Sequence, residues 1–247
     1  MRIQVAALEA DRVEVAAAGA HHLGRVLRLG VGDAVQAFDG RGGERTMRLV
    51  EVQPGRVVLE AVSELVRRPI TTLDLTVLQA LAKGDKLPRI VRAVTELGAT
   101  RVGLVVTRRT VARPPRERAA GLAMRLSRIA AESARQCGRA DVPEVSGPDP
   151  LEVWLGRPQP PLRLAAWEKE SEPLAAALPA ARPDGITVLV GPEGGFDLGE
   201  VARIRDAGFT TVSLGPRILR TETVAAALCA ILQFHYETRG TPTSPGI

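Results

Sequence analysis

Two apolar runs, 186–190 and 211–214, each end in a glycine-proline loop that leads straight into an amphipathic helical pattern. Residues 186–227, ITVLVGPEGGFDLGEVARIRDAGFTTVSLGPRILRTETVAAA, thus hold two consecutive strand-loop-helix units. Such units belong to an open α/β sheet. There, ligands collect at the carboxyl ends of strands, where backbone N–H groups and helix N-termini point outward. Two of these loops so close together predict one composite small-molecule pocket.

The loops exclude some chemistries. GPEGGF lacks the Gly-Lys-Ser/Thr of a phosphate-binding P-loop and the spaced glycines of a dinucleotide fingerprint, which disfavours ATP and NAD. In the second loop Arg217, Arg220 and Glu222 crowd a segment otherwise built to expose backbone, and an apolar helix begins at Thr221. An arginine pair at a helix N-terminus suits an anionic substrate or a developing negative charge.

Upstream, residues 73–237 alternate strand and helix patterns, the mark of a mostly parallel sheet. Strands are expected at 73–81, 101–107 and 162–167, and helices at 87–97, 116–137, 173–181, 198–207 and 221–237. Residues 143–161 are proline-rich and read as irregular, and the tail 238–247 as disordered. Residues 1–70 differ. Short β-prone runs at 13–15, 34–38, 46–52 and 56–66, separated by Gly-Asp, Asp-Gly, Gly-Gly and Pro-Gly, predict a small barrel. Between the first two runs, AHHLGRVLRLGVGD reads as a short helix gathering His21, His22, Arg25 and Arg28. Arg25 and Arg28, three apart, would share a helical face that either clamps an RNA backbone or is a solvated basic surface. His22 reads as a structural histidine rather than a catalyst. Residues 67–69, Arg-Arg-Pro, read as the linker.

Composition narrows the partners. The 247 residues carry a formal charge of +5, which favours polyanions. Lysine occurs only at 83, 86 and 169, so arginine supplies 30 of the 33 basic residues. A G- and C-rich genome accounts for that ratio but not for the net charge. Aromatics are 3% of the chain, too few for recognition by base stacking. No apolar run approaches the roughly 20 residues of a membrane span, and the first residues lack a signal-peptide core, so a cytoplasmic protein is expected. Cys137 and Cys229 form no close pair, no histidine cluster accompanies them, and no metal site is expected. Glu132, Gln136 and Arg139 near the end of the 116–137 helix either face a substrate or form its wet side.

LVGPEGGF at 189–196 and SLGPRILRTET at 213–223 closely resemble the ribosomal RNA small-subunit uridine-N3 methyltransferases of the SPOUT, or α/β-knot, superfamily. HHLGRVLRL at 21–29, KGDK at 83–86, AVTELGATR at 93–101 and RIAAESARQCGR at 128–139 match in the same order, so the resemblance covers nearly the whole chain. It implies a PUA-like RNA-binding β-barrel over 1–70 and, over 71–247, a SPOUT methyltransferase domain with a deep trefoil knot. It also implies S-adenosylmethionine as methyl donor, small-subunit ribosomal RNA within the 30S particle as substrate, and a homodimer whose sites borrow from the partner. By position, Ala166, Trp167, Gly191, Pro192, Glu193 and Gly194 would hold the cofactor, joined by Leu214, Gly215, Arg217, Ile218, Leu219 and Thr223. His22, Arg25, Arg28, Lys83, Lys86 and Arg139 would contact RNA. Arg220 and Arg217 would stabilise charge on the uridine, and Glu222 would take its proton, unless Glu222 is only a charge favourable to the helix dipole. Val224 stands where a small residue is expected, and the first strand lacks the family's aromatics. A knotted enzyme acting on another nucleotide, or a non-catalytic RNA-binding assembly factor, are the alternatives.

Overall fold

The computed structural model describes residues 1–67, 73–111, 113–170 and 172–237. Two compact units emerge, one of Met1–Ile70 with Ala131–Val142, the other of Thr71–Ala130 with Pro143–Ile247. The expected linker residues 68 and 69 and the tail 238–247 lie outside the described residues.

The first unit contains β1 (Arg2–Gln4), β2 (Arg12–Ala16), α1 (Ala17–His21), β3 (Ala34–Phe38), β4 (Gly43–Gln53), β5 (Arg56–Ala61) and β6 (Val66–Arg67). Its sheet runs β1-β3-β4-β5-β2, with β6 beside the start of β4; β1 is parallel to β3 and the other pairings are antiparallel. Alternate residues point into one core, Val35 and Ala37 from β3, Met47 and Leu49 from β4, and Val57 and Leu59 from β5. Among the described residues β1 and β2 are not paired with each other. The expected barrel is therefore a curled sheet closed by side-chain packing rather than by a final ladder. Arg67 belongs to β6 and bonds Glu9 at 2.8 Å, so it is part of this unit's framework and not of a linker.

The expected basic helix is shorter than its spacing predicts. α1 continues into a π-helical turn over His22–Val26, where the Leu27 N–H donates to the His22 carbonyl at 2.9 Å. Arg28 then turns left-handed, with φ +55°, and the Leu29 N–H returns to the Leu23 carbonyl at 3.0 Å. Leu23, Leu27 and Leu29 all pack on the same core, and the chain reverses at Arg28 to bring the three inside. Arg25 and Arg28 consequently do not share a helical face.

The second unit contains β7 (Leu75–Ala80), α2 (Lys86–Glu96), β8 (Arg101–Val106), α3 (Arg116–Cys137), β9 (Glu144–Pro150), α4 (Leu151–Leu155) and β10 (Leu162–Ala166). It continues through α5 (Leu174–Ala177), β11 (Ile186–Val190), α6 (Leu198–Asp206), β12 (Thr210–Val212) and α7 (Thr221–Glu237). α3 runs through Ala131, so its last turns fall among the residues that cluster with the first unit. The sheet is parallel throughout, in the order β12-β10-β11-β7-β8-β9. β7 and β11 are buried along their whole length, which is why their sequences read as continuous apolar runs instead of alternating ones. α4 and α6 cover one face through Leu151, Trp154, Val201 and Ile204, while α2 and α7 pack on each other, and α7 also packs on β7 and β11.

Residues 143–161 correct the sequence reading. They form the edge strand β9 and the short helix α4, not an irregular wander. Pro148 and Pro150 are tolerated because an edge strand need not donate on both sides, and the ladder to β8 slips between Gly103 and Val105. Trp154 anchors this region. Its indole N–H donates to the Leu104 carbonyl at 2.9 Å, and its ring occupies the space above Gly103, where a Cβ would come within 2.8 Å of the ring and 2.6 Å of Leu78. Gly103→Ala should therefore overpack the core and lower stability by about 1–3 kcal/mol in urea unfolding monitored by tryptophan fluorescence.

Candidate active site

Sequence neighbours β7 and β8 lie on one side of β11, and β10 and β12 on the other, so the strand order reverses beside β11. Loops leaving β11 and β12 diverge from this switch point and leave a crevice between them. The first loop, Gly191 to Asp197, is held from two directions. Asp197 caps α6, its Oδ1 accepting the Glu200 N–H at 2.8 Å while Glu200 Oε2 accepts the Asp197 N–H at 3.1 Å. Those bonds, the Glu200 N–H foremost and then the Arg108 guanidinium, hold the Asp197 carboxyl below the usual range. Glu200, buried, also accepts the Arg108 N–H at 2.7 Å, and Arg109 Nη1 donates to the Gly194 carbonyl at 2.7 Å. The loop after β8 thus pins the loop after β11.

The second loop is held at Thr221, the first residue of α7. Its hydroxyl donates to the Gly191 carbonyl at 2.7 Å and accepts from Gln79 Nε2, on β7, at 3.0 Å. Thr221 and Gln79 are both buried, so this bridge fixes the start of α7 against the ends of β7 and β11.

Between the loops lies a cavity of about 520 Å³. Gly191, Pro192, Glu193, Gly194, Gly195 and Phe196 form one wall; Leu214, Gly215, Arg217, Ile218, Leu219 and Arg220 form the other. Ala166, Trp167 and Glu168, at the end of β10, make the floor. Gly195 has φ +66°, and a Cβ there would lie 2.8 Å from Glu168 Oε1, so only glycine leaves room for that carboxylate. The Trp167 indole nitrogen is buried without a hydrogen-bond partner.

Of the residues expected to hold a cofactor, eleven share this cavity and Thr223 does not: it is exposed, and its N–H donates to the Arg220 carbonyl. Helical geometry turns Thr221 and Val224 to the cavity instead, and Thr223 falls on the outer face. Glu168, Phe196, Ser213, Thr221 and Lys86 are lining residues that the sequence reading missed in that role. A threonine opening an apolar helix was the one available signal for Thr221.

Lys86, expected on RNA, belongs to this cavity. Its ammonium lies 2.8 Å from Glu193 Oε1 and 3.9 Å from Glu222 Oε2, bridging the first loop to α7. Burial raises the Glu193 pKa, but the Lys86 bond and the Lys83 N–H outweigh it, and the carboxyl is held below its ordinary range. Glu222 Oε2 is itself buried without a hydrogen bond. Arg217 and Arg220 are exposed, as is Lys83. In the first unit Arg25 and Arg28 are exposed, and His22 Nε2 is buried without a hydrogen bond. Arg139 corrects the expected RNA set: its guanidinium is paired with Asp141, Nε to Oδ1 at 3.2 Å, and its side chain is only 10% exposed. Among the described residues no group of His, Cys, Asp and Glu is arranged to hold a metal, and no helix is long and apolar enough to cross a membrane.

Comparison with known proteins matches this architecture. A family model described as an RNA methyltransferase domain matches residues 69–233, and one described as an RNA methyltransferase PUA domain matches residues 17–62. The ribosomal RNA small subunit methyltransferase E of Synechocystis is 35% identical, over 88% of this chain and 71% of its own. That of Bacillus subtilis is 32% identical, over 93% and 92%. The Neisseria gonorrhoeae methyltransferase of the same name, solved bound to S-adenosyl methionine, superposes with a TM-score of 0.86 at 28% identity, covering 94% of this chain and 96% of that one. A Legionella pneumophila protein solved with the bound cofactor SAM gives a TM-score of 0.87 at 27% identity, with the same coverage.

Two outcomes test the site's construction. Thr221→Val should deprive the Gly191 carbonyl of its hydroxyl donor and leave the Gln79 amide with only its bond to the Ala80 carbonyl, costing about 1–3 kcal/mol in urea unfolding, while Thr221→Ser retains most of the stability. Because Glu193 titrates below its unfolded value, its ionised form stabilises the fold above the ordinary glutamate range. That advantage is lost as pH falls through the lowered value. Thermal midpoints of wild type and Glu193→Gln should thus differ at neutral pH and converge in acid.

Proposed function

The chain belongs to the RNA methyltransferase family, and on that premise we propose that it transfers a methyl group from S-adenosylmethionine to N3 of a uridine in small-subunit ribosomal RNA. The observation that carries this reading is the cavity walled jointly by the 191–196 and 213–221 loops, with Arg217 and Arg220 on one wall. Its volume of about 520 Å³ lies within the range of small-molecule sites. The wall residues fit the cofactor: a glycine-rich loop offers backbone groups at close approach, and the Trp167 indole N–H is an unused buried donor. Its sulfonium supplies an electrophilic methyl group.

The remaining chemistry falls to the protein. Uridine N3 is a poor nucleophile until its proton leaves. Glu222 does not itself line the cavity; what supports it as proton acceptor is that its Oε2 is buried without a hydrogen bond, 3.9 Å from the ammonium of Lys86, which does line it. Among the described residues Arg220 and Arg217 pair with no carboxylate, which leaves both able to stabilise the uridine anion. Both guanidiniums are planar donors that keep their charge throughout.

We further read residues 1–70 as a PUA-like RNA-binding module, residues 71–247 as a SPOUT domain, and the 30S particle in the cytoplasm as the substrate's setting. A trefoil knot is supported by the path of the chain, which leaves β12 at the sheet edge and returns as α7 onto β7 and β11 in the middle. A homodimer is supported by the exposed apolar side chains Ile218, Ile231 and Phe234 beside the cavity and along α7, 85%, 40% and 73% exposed.

Arg220→Ala should abolish methylation while leaving S-adenosylmethionine binding intact in calorimetry; an undiminished rate would remove Arg220 from the mechanism. Mass spectrometry of ribosomal RNA from a deletion strain should show loss of one N3-methyluridine. Loss of a different modification would redirect the substrate assignment.

A further inference from the structure

Five charged side chains line the cavity: Lys86, Glu168, Glu193, Arg217 and Arg220. Glu193 is neutralised by Lys86 at 2.8 Å. Glu168 differs from Glu193 in having no hydrogen bond or ion pair with any described residue, although both arginines stand on the wall of the same cavity. The residue is exposed, yet its carboxylate has a fixed neighbour. It leaves the end of β10 and lies against Gly195, whose left-handed backbone and missing Cβ make the space it fills. An alanine at 195 would put a methyl group 2.8 Å from Oε1. The first loop is thus shaped around an anion that no described residue neutralises, at the floor of a pocket open to a ligand.

From this arrangement we infer that Glu168 is a binding residue that supplies the counter-charge for a cationic group of the cofactor. The inference rests on the methyltransferase reading of the same cavity. S-adenosylmethionine carries two cations, the α-ammonium and the sulfonium, while its demethylated product keeps only the ammonium. A carboxylate already positioned in the wall gives either group a charge-assisted contact without the cost of ordering a loose side chain. If the sulfonium is the partner, Glu168 also favours exchange of spent product for fresh donor, because the product lacks that charge.

Calorimetric titration of the purified full chain with S-adenosylmethionine and, separately, with S-adenosylhomocysteine tests this. Glu168→Gln, at an exposed position where folding is unthreatened, should weaken S-adenosylmethionine binding about tenfold. Equal weakening of S-adenosylhomocysteine identifies the ammonium as the partner, and weakening of S-adenosylmethionine alone identifies the sulfonium. Glu168→Asp, which keeps the charge on a shorter arm, should recover part of the loss. Unchanged affinity for both ligands in Glu168→Gln, with an unaltered thermal midpoint, would overturn the inference. Wild-type protein that binds neither ligand would instead overturn the methyltransferase reading on which it rests.

Discussion

One hydroxyl holds the site together. Thr221 donates to the Gly191 carbonyl and accepts from Gln79, and so ties together three pieces of chain distant in sequence: the end of β7, the loop after β11 and the start of α7. The direction of each bond is set by chemistry. A carbonyl can only accept, so the Thr221 proton is committed to Gly191, and the remaining lone pair takes the Gln79 amide. With Thr221 and Gln79 buried and Gly191 half-buried, releasing any one leaves polar atoms short of a partner. The cavity exists because this bridge spaces the two loops.

Around the bridge, charge does the remaining positioning. Arg108 and Arg109 follow β8 and engage Asp197, Glu200 and the Gly194 carbonyl, while Lys86 reaches Glu193 and approaches Glu222. Each of these contacts ends on the loop after β11, on the first turn of α6 or on the first turn of α7. The basic residues of this unit are therefore of two kinds. Some are spent on fixing the loops, and others, Arg217 and Arg220 foremost, stay exposed on the cavity wall. Net charge alone pointed to a polyanionic partner, but only the second kind can meet one.

Legibility followed the range of the interactions. α3 and α7 have the bounds their periodicity predicts, because helical spacing and helix-start signals are local. Residues 143–161 read as irregular because their six prolines look like punctuation, and nothing local announces that β8 offers them an edge to pair with. Arg28 left the expected helix because the core claims Leu23, Leu27 and Leu29 together. Thr223 was preferred to Thr221 on motif position, whereas the direction of α7 over β11 decides which threonine faces inward.

By itself, the sequence determined that residues 186–227 form two strand-loop-helix units with glycine-proline loops, that the chain has a β-rich beginning followed by an α/β portion, and that the loops cannot cradle phosphate as a P-loop does. Those features depend on residue type and near neighbours. Tertiary structure alone decided that Lys86 is shared by Glu193 and Glu222, that Arg139 is paired with Asp141, and that Glu168 faces the cavity with no charge partner among the described residues. Which group meets which depends on strand order and loop geometry, and these bring together residues up to 142 positions apart along the chain, as Gln79 donating to the Thr221 hydroxyl illustrates.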